Sequence, residues 1–417
     1  MTNNTIELMA PAGDFESLQA AIDNGANSIY FGVEQLNMRA RATVNFTLED
    51  LDEIVARCNP KGIRTYLTLN TIIYDHDLSI IKTLLNKAKQ AGITAVIAMD
   101  QAVIAYARQI NMEVHISTQI NITNIETVKF YALFADTIVL SRELSLNQVK
   151  KITAQIHKEN ICGPSGKLVE VEIFGHGALC MAVSGKCYLS LHSHNSSANR
   201  GACKQNCRKK YTVTDQESGF EIEIDNEYMM SPKDLCTIDF LDQIANSGIS
   251  VLKLEGRGRA PEYVATVTRC YRQAIDAIAN GTYTPGKAAV WMEELSKVYN
   301  RGFWSGYYLG QKLGEWSAAN GSMTTQRKIY IGKGRHYYPK SGIGEFIIEA
   351  YDIKVGDTIL ITGPTTGAQQ TTITSLMSED VEVETATRGN PVTLPLPFKI
   401  RPSDKLYKLV KSEYATQ

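Results

Sequence analysis

Over its first 280 residues the chain repeats one unit, a short β-rich run followed by a longer stretch of helical apolar periodicity. The β-rich runs fall at 6–11, 28–33, 64–70, 95–100, 113–119, 136–142, 169–174 and 249–257. Between most of them lie segments such as 78–91 and 145–157, whose apolar residues recur every three or four positions. Strands separated by helices are joined by parallel crossovers, not hairpins. Eight such units predict an α/β fold, a (β/α)8 barrel. An open doubly wound sheet is the competing arrangement, but no dinucleotide-binding glycine fingerprint supports it.

The rhythm breaks after strand seven, where residues 176–235 form a cysteine-rich insertion. The reading is therefore a catalytic barrel over 1–280, a linker with a short helix over 281–325, and a C-terminal region over 326–417. In that last region short strands at 328–333, 344–353, 358–362, 371–377, 381–385 and 397–400 alternate with Gly, Pro and Asp turns. This predicts a small all-β barrel. Its run VGDTILITGP resembles the β-barrel domain of translation factors.

Several strands carry one polar face. Lys253, Glu255 and Arg257 alternate with Leu252 and Leu254; Tyr66, Thr68 and Asn70 with Leu67 and Leu69; His115, Ser117 and Gln119 with Val114 and Ile116; Glu170 and Glu172 with Val171 and Ile173. Side chains in a strand point alternately to opposite faces. The outer helices claim the apolar face, so the polar one lines the lumen. Active sites in this architecture lie at the strand C-termini, where Asn70, Asp100, Gln119, Arg142, Glu172, Glu255 and Arg257 fall. The plainer alternative is an ion-pair network that fills the lumen.

Cys180, Cys187, Cys203 and Cys207 are spaced C-x6-C-x15-C-x3-C. With eight cysteines in 417 residues and no basic or apolar leader pattern at the N-terminus, a reducing, cytoplasmic setting is expected. There grouped thiols hold metal or do redox chemistry. Only Cys203 and Cys207 approach the C-x2–4-C spacing of zinc knuckles, so the spacing favours an iron–sulfur cluster and leaves zinc open. Cys58 and Cys270 sit in helical patterns as apolar residues; Cys236 is a reserve ligand for Cys207.

A net charge of −1 gives no global attraction to nucleic acid, and no apolar run is long enough for a membrane helix. Locally, Arg200, Lys204, Arg208, Lys209 and Lys210 crowd the cysteines. A second patch, Arg327, Lys328, Lys333, Arg335, His336 and Lys340, is interleaved with Tyr330, Tyr337 and Tyr338. Cations mixed with aromatics suit RNA, through phosphate contact and base stacking. Charge runs are as often solvated faces. The chain has no H-E-x-x-H, G-x-S-x-G or P-loop motif.

The stretch EIFGHGALCMAVSGKCYLS fits the signature of the collagenase-like peptidase family of unknown catalytic type. The match falls on Glu172, Phe174, Gly177, Ala178, Leu179, Cys180, Gly185, Cys187, Leu189 and Ser190. ELMAPAG, HISTQ, ANRGACKQNCRKKY and LKLEGR also resemble it, so the resemblance spans roughly residues 6–280. It implies an oxygen-independent hydroxylase carrying a 4Fe–4S cluster on Cys180, Cys187, Cys203 and Cys207, with Cys236 as substitute fourth ligand. The length and the C-terminal β-region are most similar to the branch that forms 5-hydroxyuridine at the tRNA wobble position, with prephenate as hydroxyl donor. On that resemblance Arg142, Arg257 and Arg259 would grip donor carboxylates, beside Asn70, Asp100 and Gln119. Glu172, His176, Lys253 and Glu255 are the candidate catalytic groups, and the basic segment and β-region would hold tRNA. A helper protein of the same family is a candidate partner. The rival readings are a metal-dependent collagenase-like peptidase and an RNA-binding protein with structural zinc.

Overall fold

The computed structural model describes residues 6–40, 45–211, 228, 230–319 and 321–416. Part of the insertion expected at 176–235, namely 212–227 and 229, lies outside the described residues. Eight parallel strands close into a barrel: β1 (Glu7–Pro11), β2 (Ser28–Phe31), β3 (Arg64–Leu69), β4 (Ala95–Ala98), β5 (Glu113–Ile116), β6 (Thr137–Val139), β7 (Glu170–Gly177) and β9 (Val251–Leu254). Closure comes from β9, which pairs with β1 on one side (Leu8 opposite Leu252) and with β7 on the other (Ile173 opposite Leu252). Each barrel strand is followed by a helix, from Phe15–Asp23 after β1 to Pro261–Ala279 after β9. Local chemistry sets their starts: Asp14 and Asn124 accept from the Ser17 and Thr127 amides, and Ser145 with Gln148 forms a capping box.

All eight predicted strands are present, but most are shorter than their β-rich runs. Hydrogen-bonded pairing ends at Leu254, Leu69, Ile116 and Val139. Glu255, Arg257, Asn70, Gln119 and Arg142 therefore stand in the loops just beyond the ladder. That is the C-terminal mouth of the barrel, where backbone leaving the sheet is free to aim side chains inward.

The lumen combines a small apolar cluster (Met9, Tyr30, Tyr66, Ala95, Ile97 and Val251) with a chain of charges. Lys253 lies 2.8 Å from Glu172; the other Glu172 oxygen is 3.7 Å from His115 Nδ1; and His115 Nε2 is 3.2 Å from Glu113. Tyr66 donates to Glu7 at 2.8 Å, and Glu7 also pairs with Arg64. Burial would raise the Glu172 carboxyl, but Lys253 and His115 outweigh it and hold it below the usual range. The alternation in the sequence thus does mark the lumen, and its lower half is an ion-pair filling.

Past the rim, β7 kinks between Phe174 and His176 and pairs antiparallel with β8 (Asp234–Cys236), which pairs with β10 (Phe303–Trp304). Residues 281–325, read from sequence as a connection, contribute the helix Pro285–Ser296 and β10, and pack on the barrel. Tyr308 donates to the Phe174 carbonyl at 2.8 Å, and buried Arg301 meets buried Asp234 at 3.0 Å.

The C-terminal region is a separate antiparallel all-β unit with its own core, including Ile331, Phe346, Ile359 and Leu406. Pro391–Pro395 and Lys405–Lys411 are strands that the turn-rich reading missed, and 397–400 is not one. The unit rests on the barrel's first and last helices. Gly367, at φ +68°, sits so close to Ala20 that a Cβ would lie 3.0 Å from its amide nitrogen, and Lys405 reaches Glu16 at 3.1 Å.

The lumen network sets a stability prediction. Lys253→Met leaves the fully buried Glu172 carboxylate without its nearest cation and is expected to cost about 3–5 kcal/mol. Pairing it with Glu172→Leu should recover most of that loss, as read from urea-unfolding midpoints.

Candidate functional site

The family-like signature has a physical basis in the fold. Glu172 anchors the lumen, and the Phe174 ring lies 3.8 Å beneath the Arg142 guanidinium. Gly177, at φ +106°, lets β7 pass so near β9 that a Cβ there would be 2.4 Å from the Glu255 carbonyl. A Cβ on Gly185 would press on Gln119 at 2.8 Å, and Ser190 Oγ accepts from the Lys204 amide at 2.9 Å. Cys180 and Cys187 leave from the end of β7. The Ser190 contact folds the segment bearing Cys203 and Cys207 back over them.

Cys180, Cys203 and Cys207 line one cavity of about 130 Å³ together with Arg39, Arg208, Glu255, Arg259 and Arg301. The Cys207 thiol is pushed up by burial and by the neighbouring Cys180, Cys203 and Cys187, with Arg208 opposing. Three of the four signature cysteines thus meet at the mouth, with Cys187 close enough to Cys207 to act on its thiol. Among the described residues no three of His, Cys, Asp and Glu are grouped to hold one metal ion. Cys236 is not part of this group: it is buried, with its sulfur near Tyr271 Oη (3.7 Å) and Met292, and burial pushes its thiol up to about 12.

Glu255 is the centre of the charge pattern. Its carboxylate pairs with Arg39 at 3.0 Å and accepts from Tyr30 at 2.9 Å. Burial would raise this acid, yet Arg39, Arg142 and Arg257 hold it at about 2. Arg257 is buried, donates to Thr68 Oγ1 at 2.9 Å, and is lowered to about 10 by desolvation. Arg142 donates to the Ala178 carbonyl at 3.0 Å and keeps a buried Nε with no partner. Asn70 and Gln119 face each other at 3.4 Å beside this group. Cationic side chains outnumber carboxylates here, so the mouth is built to receive an anion.

The structure moves several sequence-based assignments. Asp100 spends one oxygen on the Ala102 amide, capping a helix, and the other on the Ile73 amide, so both oxygens build the loop. His176 turns away from the mouth onto Tyr263, Tyr271 and Phe303, because the kink in β7 shifts its register. Burial, with Arg259, lowers it to about 3, so it is neutral at physiological pH. Glu172 and Lys253 lie below the cavity, locked to each other. Arg200 is committed to Asp77 through two bonds (2.6 and 3.2 Å) and stacks over Tyr74. Arg208 ties down the insertion through Ser231, Pro232 and Leu179. Lys204, Lys209 and Lys210 are exposed, as a surface rim requires. On the β-region, Lys328, Lys333 and Arg335 are matched by Glu262, Glu349 and Glu345.

Sequence reasoning missed Tyr30, Arg39 and Arg301. Arg39 comes from the loop after β2, whose only signal is the run NMRARAT at a strand C-terminus. The sequence does not show that this loop meets the insertion, yet a Cβ on Gly201 would lie 2.2 Å from the Asn37 carbonyl.

A closed barrel whose mouth gathers a buried carboxylate, several arginines and three signature thiols defines an enzyme of the (β/α)8 class. The chain belongs to peptidase family U32, whose family model matches residues 13–318. It is 54% identical over 413 residues to a protein of Porphyromonas gingivalis named collagenase, covering 99% of this chain and all of that one. It is 33% identical over 311 residues to tRNA hydroxylation protein P1 of Bacillus subtilis (73% of this chain, 71% of that one). A 23S rRNA 5-hydroxycytidine synthase of Escherichia coli is 34% identical over 279 residues (67% of this chain, 40% of that one).

The acid at the mouth yields a pH prediction. Glu255 is depressed in the folded protein, so its stabilisation is present above the ordinary carboxylate value of about 4.3 and is lost as pH falls toward about 2. Glu255→Gln should remove that contribution, on the order of 3 kcal/mol, from the acid limb of the stability profile. Chemical denaturation of the two proteins between neutral and acid pH measures the difference.

Proposed function

We propose that this enzyme is an iron–sulfur-dependent, oxygen-independent RNA hydroxylase that forms 5-hydroxyuridine at the tRNA wobble position, with prephenate or a similar anionic donor supplying the hydroxyl group. The observation that carries the reading is the meeting of Cys180, Cys203 and Cys207 with an arginine-rich, carboxylate-bearing mouth. Relatives named for tRNA hydroxylation and rRNA hydroxycytidine synthesis support the choice of RNA.

The donor set suits a 4Fe–4S cluster. A single tetrahedral zinc, with Zn–S bonds of about 2.3 Å, needs its thiolates packed tightly around one point. A cubane takes one thiolate per iron and spreads its ligands further. Cys180, Cys187, Cys203 and Cys207 would hold the cluster, which when bound supplies electrons or an open iron to the donor.

The chain's own groups do the rest. Arg257 and Arg142, each short of partners, would take the donor's carboxylates as bidentate clamps. A carboxylate arriving beside Arg39 competes with Glu255 for it. As that pairing weakens, the Glu255 carboxyl rises from about 2 and becomes able to accept a proton from the substrate. Tyr30, whose hydroxyl is raised far above its ordinary value by burial, stays protonated and keeps donating to Glu255.

The name of the P. gingivalis relative favours a second reading, peptide hydrolysis. Against it, among the described residues no histidine is hydrogen-bonded to any of the four thiols, and His176 faces away from them. Anaerobically purified protein separates the two. The hydroxylase reading expects about four irons and matching sulfide per chain, with absorbance near ~400 nm lost in Cys203→Ala. It also expects 5-hydroxyuridine in tRNA incubated with wild type and donor. One bound zinc, no iron and cleavage of denatured collagen would sink it.

A further inference from the structure

A cavity of about 130 Å³ is too small for a nucleoside, since ligand pockets run to about 300 Å³ and above. A second cavity, of about 430 Å³, lies where the loop after β9, the end of the 281–325 segment and the C-terminal sheet meet. The two share Gly258 and Arg259 and so lie side by side.

The charges of this larger cavity sort into two kinds. Lys297 and Lys328 are neutralised by Glu294 and Glu262, at 2.5 and 2.8 Å. Arg259 and Arg327 have no carboxylate and no hydrogen-bond acceptor for their side chains among the described residues. The Arg259 guanidinium lies 3.5 Å over the Tyr299 ring, which fixes its plane and leaves its N–H edge unused. Arg327 is exposed on the strand Gln326–Tyr338 at the far side of the same cavity. Two unpaired guanidiniums, one held on an aromatic face, can take phosphodiester oxygens and stack a base.

We propose that this junction cavity holds the RNA strand next to the nucleotide being modified, with Arg259 and Arg327 on successive backbone phosphates. The proposal rests on the RNA-hydroxylase reading and adds a place for the strand, built jointly by the barrel and the β-region.

The test is fluorescence anisotropy of the full chain with an unmodified tRNA transcript, titrated across ~50–200 mM salt. Arg327→Gln is expected to weaken binding about 3-fold or more and to lower the log–log salt slope by about 0.7–0.9. Gln370→Glu, which adds a negative charge to an exposed lining residue, should weaken binding likewise. Lys129→Ala, which removes a cation from a distant helix, should leave affinity unchanged. In turnover, Arg327→Gln should raise KM and spare kcat, whereas Cys203→Ala should abolish product and spare RNA binding. Wild-type binding with unchanged affinity and slope in both cavity variants overturns the proposal and leaves the hydroxylase reading standing. A wild-type protein that binds no RNA overturns both.

Discussion

The contact on which the mouth depends is the pairing of Glu255 with Arg39 at the point where the barrel closes. Three things meet at that residue. Its amide donates to the His176 carbonyl at 2.8 Å, its carbonyl fills the space a Cβ on Gly177 would need, and its carboxylate draws in Arg39 and Tyr30. The last barrel strand, the start of the cysteine segment and the loop after β2 are thereby held in one arrangement. Burial opposes an ionised carboxylate, so a value near 2 means that the surrounding guanidiniums more than compensate for lost hydration.

The same electrostatics explain why the mouth is cationic. A buried carboxylate with several arginines around it is not a neutral filling, unlike the Lys253–Glu172–His115 chain beneath it, where charges alternate in sign. The lower network is closed on itself and serves the fold. The upper one leaves Arg257 with Thr68 as its hydrogen-bond partner and Arg142 with an unpartnered buried nitrogen. Such groups are costly unless a ligand completes them. An anionic ligand would meet that need.

Much of this was legible in the sequence because it depends on local periodicity. Alternation at Lys253, Glu255 and Arg257 located the lumen and the mouth, and the cysteine spacing located the insertion. The misplaced residues share a cause. Asp100, Arg200 and Arg208 are polar residues at the right end of the barrel, but their partners (the Ile73 amide, Asp77 and Ser231) are set by loop folding that no periodicity reports. His176 follows the strand pattern on paper, and a one-residue kink turns it outward. Arg39 was invisible for the opposite reason, since its importance depends on a contact more than two hundred positions away. Lys405–Lys411 was missed because its lysines at 405, 408 and 411 fall on both faces and break the apolar alternation.

The family's two sets of names need not conflict with one architecture. Overall identity is higher to a collagenase-named protein than to the hydroxylation proteins, yet identity measures the scaffold, and chemistry is fixed by which groups reach the cavity. Peptide hydrolysis by a thiol needs a base within hydrogen-bonding distance and a site for the oxyanion. Among the described residues the basic side chains lining the cavity are guanidiniums, which hold their protons, and the histidine on β7 is turned behind the strand. What reaches the cavity is a set of thiols, a carboxylate held low by the arginines around it, and a cluster of guanidiniums. Those groups suit an anionic ligand and are not the base and oxyanion site that a thiol peptidase requires.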